Sequence, residues 1–304
     1  MEAFSHQISG IELVAWRSQA ITQAQAAHID PAEVDWLLQS LCQVETLALR
    51  LGTLAQQLAV PTAMTLSELE ALWQKRLGDR VPVQHLVGKT VWRNFTLQVS
   101  PTVLIPRPET ELIIDIVVAC IDQSPQAAKL QQGTWVDLGT GSGAIALGLA
   151  VALPQAQIVA VDVSDAALAI ARHNAVENGL DDRIQFLSGS WFEPLAGWSG
   201  QLAGVVSNPP YIPSAIVPTL DPEVAQHEPH LALDGGPDGL AAVRHLVTTA
   251  PRYLQSSGLW AVELMAGQAP AVTDLLRQSQ AYTDGQVASD YAGIERFVTA
   301  YRQY

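Results

Sequence analysis

Trp135-Val136-Asp137-Leu138-Gly139-Thr140-Gly141-Ser142-Gly143 is the stretch from which the architecture of this chain is read. An apolar run closes on an acidic residue, three alternate glycines follow, and the alanine-rich segment Ala144 to Leu153 comes next. That order predicts a strand, a glycine turn and a helix, because glycine enters left-handed turns at no steric cost and lets backbone approach a ligand closely. The helix N-terminus then faces the ligand. A cofactor is expected at Gly139, Thr140, Gly141, Ser142 and Gly143. About 20 residues further on, the run Ile158-Val159-Ala160-Val161 ends in Asp162, where an acidic side chain takes the ribose hydroxyls of a nucleoside cofactor.

Outward from this motif, apolar runs recur near Val136, Val159, Ile184 to Leu187, Val205 and Trp260 to Leu264, with alanine-rich segments between them. This alternation predicts an α/β fold, a Rossmann-like, doubly wound and mostly parallel sheet with helices on both faces. Gln286 to Ala288 and Phe297 to Ala300, separated by Asp290-Tyr291-Ala292-Gly293, read as a final antiparallel pair. The run Ala203-Gly204-Val205-Val206 stops at Asn208-Pro209-Pro210-Tyr211. Two prolines cannot continue a central strand, since each lacks a ladder donor and has a fixed φ. The strand end becomes a rigid shelf. On it the Asn208 side chain and the proline-pair carbonyls are acceptors for a substrate NH2 group, and the face of Tyr211 packs against that group. A planar amide or an exocyclic base amine suits such a shelf.

The beginning of the chain reads differently, as several short helices from about residue 10 to 78. Asp30-Pro31-Ala32-Glu33 offers an N-cap, a proline at the first helical position and a capping-box glutamate, ahead of the stripe Val34, Leu37, Leu38 and Leu41. Thr65-Leu66-Ser67-Glu68 repeats the signal before Leu69, Leu72, Trp73 and Leu77, and Val60-Pro61 breaks the helix in front of it. From Val81 to Leu104, period-two stretches rich in Val, Trp, Phe and Thr, with Gly88-Lys89 as a turn signal, predict a β-hairpin bridging two domains. Ile105-Pro106-Arg107-Pro108-Glu109-Thr110-Glu111, stiffened by its prolines, reads as a linker or as a lid against the cofactor. The expected organisation is a helical bundle over 1–79, a hairpin and linker over 80–105, and a catalytic domain over 106–304.

A chain of 304 residues with 48% hydrophobic content has material for two packed domains. Its net charge of -14 argues against affinity for phosphate backbones, so no direct nucleic-acid binding is expected. Cys42 and Cys120 lie in separate segments, and His227, His230 and His245 lack ligand spacing, so buried thiols and no metal are expected. The stretch Met1 to His6 lacks the basic and apolar regions of a signal peptide, and no apolar run reaches the roughly 20 residues that span a bilayer. The expected location is cytoplasmic, away from membranes.

Taken alone, Gly139-x-Gly141-x-x-Ala144 also satisfies a relaxed dinucleotide fingerprint, which leaves hydride transfer open. With Asp137 ahead, Gly143 behind and an Asn-Pro-Pro-Tyr strand end about 65 residues later, the pattern resembles S-adenosylmethionine-dependent methyltransferases. Further segments narrow it: Pro82-Val83-Gln84-His85-Leu86-Val87-Gly88, Leu104 to Glu111, Glu228-Pro229, and Ala232-Leu233-Asp234-Gly235-Gly236-Pro237-Asp238-Gly239-Leu240. Beyond Pro82 the chain is similar to the protein-glutamine N5-methyltransferases that modify class I peptide chain release factors. That resemblance implies methyl transfer from S-adenosylmethionine to the side-chain amide of the glutamine in a Gly-Gly-Gln motif, modulating translation termination. It also implies that Gly139 to Gly143 line the methionine half of the cofactor, that Asp162 holds its ribose and that Trp191 lies against its adenine, although in Ser190-Trp191-Phe192 either ring could serve. Asn208 would touch both cofactor and substrate, with Pro209, Pro210 and Tyr211 on the substrate side, and the bundle would dock the release factor. The loop Asp234 to Gly239 reads as turn chemistry or as a neighbour of the substrate, and Glu263 as a cleft residue or a hydrogen-bonding one. A monomer is expected of an enzyme that must embrace a folded protein. Two other functions stand beside this one: RNA or DNA exocyclic-amine methylation, which the acidic charge opposes, and a noncatalytic cofactor-binding module that docks translation factors.

Overall fold

The Ser9 hydroxyl accepts the Glu12 amide, and the Glu12 carboxylate accepts the Ser9 amide in return. This reciprocal cap starts the first long helix. The structure, a computed structural model, describes residues 4–283 and 285–303, so Met1 to Ala3 of the stretch Met1 to His6 lie outside the described residues. The chain divides into two units, Met1–Gly88 and Lys89–Tyr304.

In the first unit β1 (His6–Ile8) precedes α1 (Gly10–Ala26), α2 (Ala32–Leu41), α3 (Thr46–Leu51), β2 (Val60–Thr62), α4 (Leu66–Gly78) and α5 (Val83–Val87). Leu13, Leu37, Leu38, Leu54, Leu69 and Trp73 are fully buried among them. Thr65 and Glu68 form the expected capping box. The Asp30 signal works only in part. Asp30 accepts the Ala32 amide at 2.9 Å, but Glu33 turns to the Arg76 guanidinium at 2.5 Å, because a cation 4% exposed needs a counter-charge. Val60-Pro61 does more than end a helix: β2 pairs antiparallel with β1 in a small two-stranded sheet.

The second unit begins with the hairpin β3 (Lys89–Trp92) and β4 (Phe95–Gln98). Gly88 is not its turn. With φ +77° it closes α5 as a left-handed C-cap, and the hairpin turns at Arg93-Asn94. Trp92, Phe95 and Leu97 bury into the core of the second unit, so the hairpin belongs to that unit and the boundary falls at residue 88/89 instead of at 79/80 and 105/106. There follow α6 (Leu112–Gln123), α7 (Ala127–Gln132), β5 (Thr134–Leu138), α8 (Ala144–Ala152), β6 (Gln157–Asp162), α9 (Asp165–Glu177), β7 (Ile184–Ser188) and β8 (Leu202–Ser207). Next come α10 (Pro222–Ala225), α11 (Ala241–Thr249), β9 (Leu254–Glu263), α12 (Ala269–Ser279), β10 (Gln286–Ser289) and β11 (Glu295–Tyr301).

One seven-stranded sheet has the order β10-β11-β9-β8-β5-β6-β7. β5 pairs in parallel with β6 and β8, β9 is parallel to β8, and β11 and β10 run antiparallel at the end, as expected. The winding moves outward from β5 through β6 and β7, then returns to the other side of β5 with β8. That reversal opens a crevice at the C-terminal ends of β5 and β8, where ligands bind in open α/β sheets.

Both faces of the sheet are covered. Trp135, Ile158, Ala160, Ala203 and Ala261 pack on the side of α6 and α8, while Val136, Val159, Val161, Val205 and Val262 pack on the side of α11 and α12. Strand alternation thus fills two cores. Gly204 interrupts β8 for a packing reason: a Cβ there would stand 2.1 Å from the ring of Trp135, which is fully buried and whose Nε1 donates to the Leu130 carbonyl at 2.8 Å. Gly204→Ala is expected to lower the unfolding free energy by about 1–3 kcal/mol in urea titration, the ordinary cost of an overpacked core.

Candidate active site

The turn after β5 is held by one carboxylate. Asp137, wholly buried, accepts the Thr140 hydroxyl at 2.6 Å and the Ala146 amide at 3.0 Å with Oδ2, so it satisfies an orphan donor in the first turn of α8. Gly139 and Gly141 take φ of +72° and +54°, and a Cβ at Gly141 would meet nothing within 4 Å. Both line a cavity of about 320 Å³, together with Thr140 and Ser142. Gly143 does not line it. Its φ is +84° and a Cβ would stand 3.1 Å from that of Ala171, so this glycine brings the turn close to α9.

Asp162 ends β6 on the same cavity, accepting the Gly141 amide with Oδ2 and the Ser164 amide with Oδ1, each at 2.9 Å. Its remaining lone pairs are free for hydroxyl donors. After β7, Gly189 and a left-handed Trp191 (φ +51°) turn the chain so that the Trp191 ring lines the cavity. Phe192 goes the other way. It is buried and stacks on Tyr253 with centroids 4.9 Å apart, away from the cavity that the Trp191 ring lines.

Beyond β8, Asn208 and Pro210 line the cavity, while Pro209 is buried and neither it nor Tyr211 is among the lining residues. Asn208 Nδ2 donates to Thr110 Oγ1 at 3.2 Å, and the Tyr211 hydroxyl donates to Glu263 at 3.2 Å. The Asp234 to Gly239 loop is the buttress of this shelf. The Ile212 amide donates to the Leu233 carbonyl, the Gly235 amide donates to the Ile212 carbonyl, and Gln268 Nε2 donates to the Tyr211 carbonyl at 3.0 Å. Across the rim, Arg107 pairs with the buried Glu228 at 2.5 Å, and Glu228 also accepts the Ile105 amide at 3.2 Å. Pro106, Pro229, Leu231 and Ala232 then line the cavity from both sides of that tie. Thr110, Glu228 and Gln268 escaped individual assignment in the sequence, because each works through a partner more than 50 residues away.

Burial raises two carboxyls of this region to about 7. For Asp137 the Thr140 and Ala146 hydrogen bonds oppose the rise, and for Glu263 those of Thr110 and Tyr211 do. An acid with a raised folded-state value binds protons more readily folded than unfolded, so it costs stability as pH climbs from about 4 to 7. At the acid end Asp238, held down to about 2 by Arg244, and Asp290, held down by the Ile294 amide, lose their contribution as they protonate. The melting temperature is therefore expected to rise as pH falls from 8 to 5 and to drop below 4, and Asp137→Asn to flatten the upper limb, by on the order of 1–3 kcal/mol.

Burial also pushes the Cys42 thiol up to about 12, and Cys120, in the core of the second unit, is likewise a free buried thiol. Among the described residues no group of three or more His, Cys, Asp or Glu side chains could hold a metal ion, and no helix is long and apolar enough to cross a membrane.

The family model of the methyltransferase small domain matches residues 115–219. Over 293 residues the chain is 51% identical to the release factor glutamine methyltransferase of Synechocystis sp., covering 96% of this chain and 97% of that protein. It is 44% identical to the protein of the same name from Gloeobacter violaceus, covering 94% and 96%. Among solved structures, the catalytic domain of hMettl16 in complex with an RNA hairpin of MAT2A superimposes with a TM-score of 0.55 at 14% identity, covering 88% of this chain and 89% of that one. That likeness concerns the fold.

Proposed function

The chain belongs to the family of release factor glutamine methyltransferases, and from that premise we propose that it transfers a methyl group to the side-chain amide nitrogen of the glutamine in a release factor Gly-Gly-Gln motif. One observation carries the reading. Asn208 and Pro210 share a single cavity with Gly139, Gly141 and Asp162, and among the described residues no histidine, lysine or arginine lines it. A neutral amide nitrogen needs acceptors that localise its lone pair, not a strong base.

S-adenosylmethionine, the family's methyl donor, supplies an electrophilic methyl group on a sulfonium. The cavity fits it: the open space over Gly141 admits close backbone approach, the Asp162 carboxylate suits ribose hydroxyls, and the Trp191 ring offers a face for adenine. An acidic wall is favourable to a cationic group that carries no phosphate. Thr140 and Ser142 complete the methionine side, and Gly143 serves by packing on α9.

At the substrate end the Asn208 Oδ1 and the Pro209 carbonyl accept the two N–H bonds of the glutamine amide. This turns the lone pair toward the methyl group and stabilises positive charge as it grows on nitrogen. Once that charge has formed, the nitrogen is acidic enough to release its proton to water. Pro210 walls the slot, and Tyr211, tethered to Glu263, holds the shelf from behind. The N-terminal unit docks the release factor, with exposed Leu47, Leu51 and Leu58 as apolar surface. The enzyme acts as a cytoplasmic monomer without binding nucleic acid, in keeping with its net charge of -14.

The test is incubation with S-adenosylmethionine and a recombinant release factor, followed by mass spectrometry of the Gly-Gly-Gln peptide. One added methyl on the glutamine is expected. An unmodified peptide despite measurable cofactor binding would overturn the assignment.

A further inference from the structure

Asn208 can help an amide only if its carboxamide is turned the right way round. An Asn side chain has an acceptor end and a donor end of nearly the same shape, and only the acceptor can take a substrate N–H. Among the described residues no backbone group hydrogen-bonds either end of this carboxamide. The side chain that does touch the amide is Thr110, whose Oγ1 accepts from Asn208 Nδ2 at 3.2 Å.

Thr110 is 4% exposed and sits in the turn Glu109–Glu111 that follows the two prolines. Close to it lies Glu263, 1% exposed at the end of β9, with one oxygen taken by Tyr211 and Oε2 without a full hydrogen bond among the described residues. The neighbouring Thr110 hydroxyl is the largest of the influences that oppose the upward push of burial on this carboxyl, and Oε2 is the acceptor left for it. A carboxylate only accepts, so it draws the hydroxyl proton of Thr110 to itself. The Thr110 oxygen is then left with lone pairs alone for Asn208, which must present its NH2.

The geometry points to Thr110, backed by Glu263, as the residue that fixes the polarity of the Asn208 carboxamide and keeps its oxygen facing the substrate amide. Thr110 is a positioning residue, since it acts through Asn208. The inference rests on the glutamine-methylation reading above. The remaining charged or titratable groups facing Glu263 are Tyr211, Arg296 and Glu109, and Arg296 is engaged with Asp290 at 2.7 Å.

The experiment compares wild type, Thr110→Val, Thr110→Ser and Glu263→Gln at pH 8, with a recombinant release factor as substrate. Thr110→Val keeps the shape and removes the hydroxyl, so kcat should fall roughly 10- to 100-fold, the scale of a misoriented catalytic group. The dissociation constant for S-adenosylmethionine, measured by calorimetry, should stay within about threefold, because the hydroxyl is directed at Asn208. Thr110→Ser should recover kcat to within about threefold of wild type. Glu263→Gln can donate to Thr110 and release the hydroxyl proton toward Asn208, so its kcat should also fall, by about 10-fold. Wild-type kcat in both Thr110→Val and Glu263→Gln would overturn the inference, as would an equal loss in Thr110→Val and Thr110→Ser, which would assign the effect to the methyl group. Absence of glutamine methylation by the wild-type enzyme would instead overturn the functional reading beneath it.

Discussion

Asn208→Ala is expected to lower kcat for release factor methylation by about 100-fold or more, equivalent to roughly 3 kcal/mol in the barrier. The substitution removes the acceptor on which the amide nitrogen depends, and the remaining Pro209 carbonyl holds only one of two N–H bonds. The fold should tolerate it. Asn208 lies past the last residue of β8, is only half-buried, and among the described residues its side chain bonds to Thr110 alone, so the melting temperature should stay close to that of wild type. Single-turnover methylation followed by mass spectrometry, alongside thermal unfolding, separates the two effects. Wild-type turnover in this variant would remove Asn208 from the mechanism.

Gly239→Ala is expected to be nearly as damaging by a different route. Gly239 has φ +75°, and its Cβ would stand 2.2 Å from the Tyr211 carbonyl oxygen and 2.7 Å from Gln268 Nε2. Gln268 Nε2 donates a hydrogen bond to that Tyr211 oxygen, and the pair supports the shelf from below. Left-handed strain of about 1–2 kcal/mol adds to an overpacking cost of about 1–3 kcal/mol, so a loss near 3 kcal/mol is expected, accompanied by reduced kcat as the shelf shifts. Neighbouring Asp238→Ala gives the contrast. It breaks a half-exposed pair with Arg244 and the surface bond from the Leu240 amide, and a denaturation midpoint close to that of wild type is expected. Denaturant titration of the two variants in parallel decides whether Gly239 is a packing position or an ordinary turn residue.

The sheet was legible because its signals are local. Alternating apolar runs, the glycine turn after Val136 to Leu138 and the proline stop after Ser207 each lie within about ten residues, and all seven strands of the sheet fall where those signals place them. Misplacements arose where one residue type serves two purposes. Gly88 reads equally as a hairpin turn and as a helix C-cap, and only the tertiary position of Trp92 and Phe95 tells which unit the hairpin joins. Gly143 shares the spacing of Gly139 and Gly141, yet its missing side chain makes room for Ala171. Glu33 carries the capping-box signature but is claimed by Arg76, a partner 43 residues away. The glycine turn and the strand-end shelf that line the cavity stand out as local motifs, whereas Thr110, Glu228 and Gln268 depend on contacts that no local pattern encodes.

The order of strands carries a consequence for how the chain is made. β11, residues Glu295–Tyr301, pairs with β9 along its outer edge and comes almost last in the sequence. During vectorial synthesis β9 therefore leaves the ribosome with the backbone donors and acceptors of that outer edge unmatched along Leu259 to Glu263, a run that is fully apolar up to its final residue. Such an uncovered edge is a template for pairing with another chain. A released chain truncated shortly before residue 295 would hold an assembled cofactor crevice beside an adhesive sheet edge, so such incomplete copies of this protein should be recovered as aggregates or bound to chaperones.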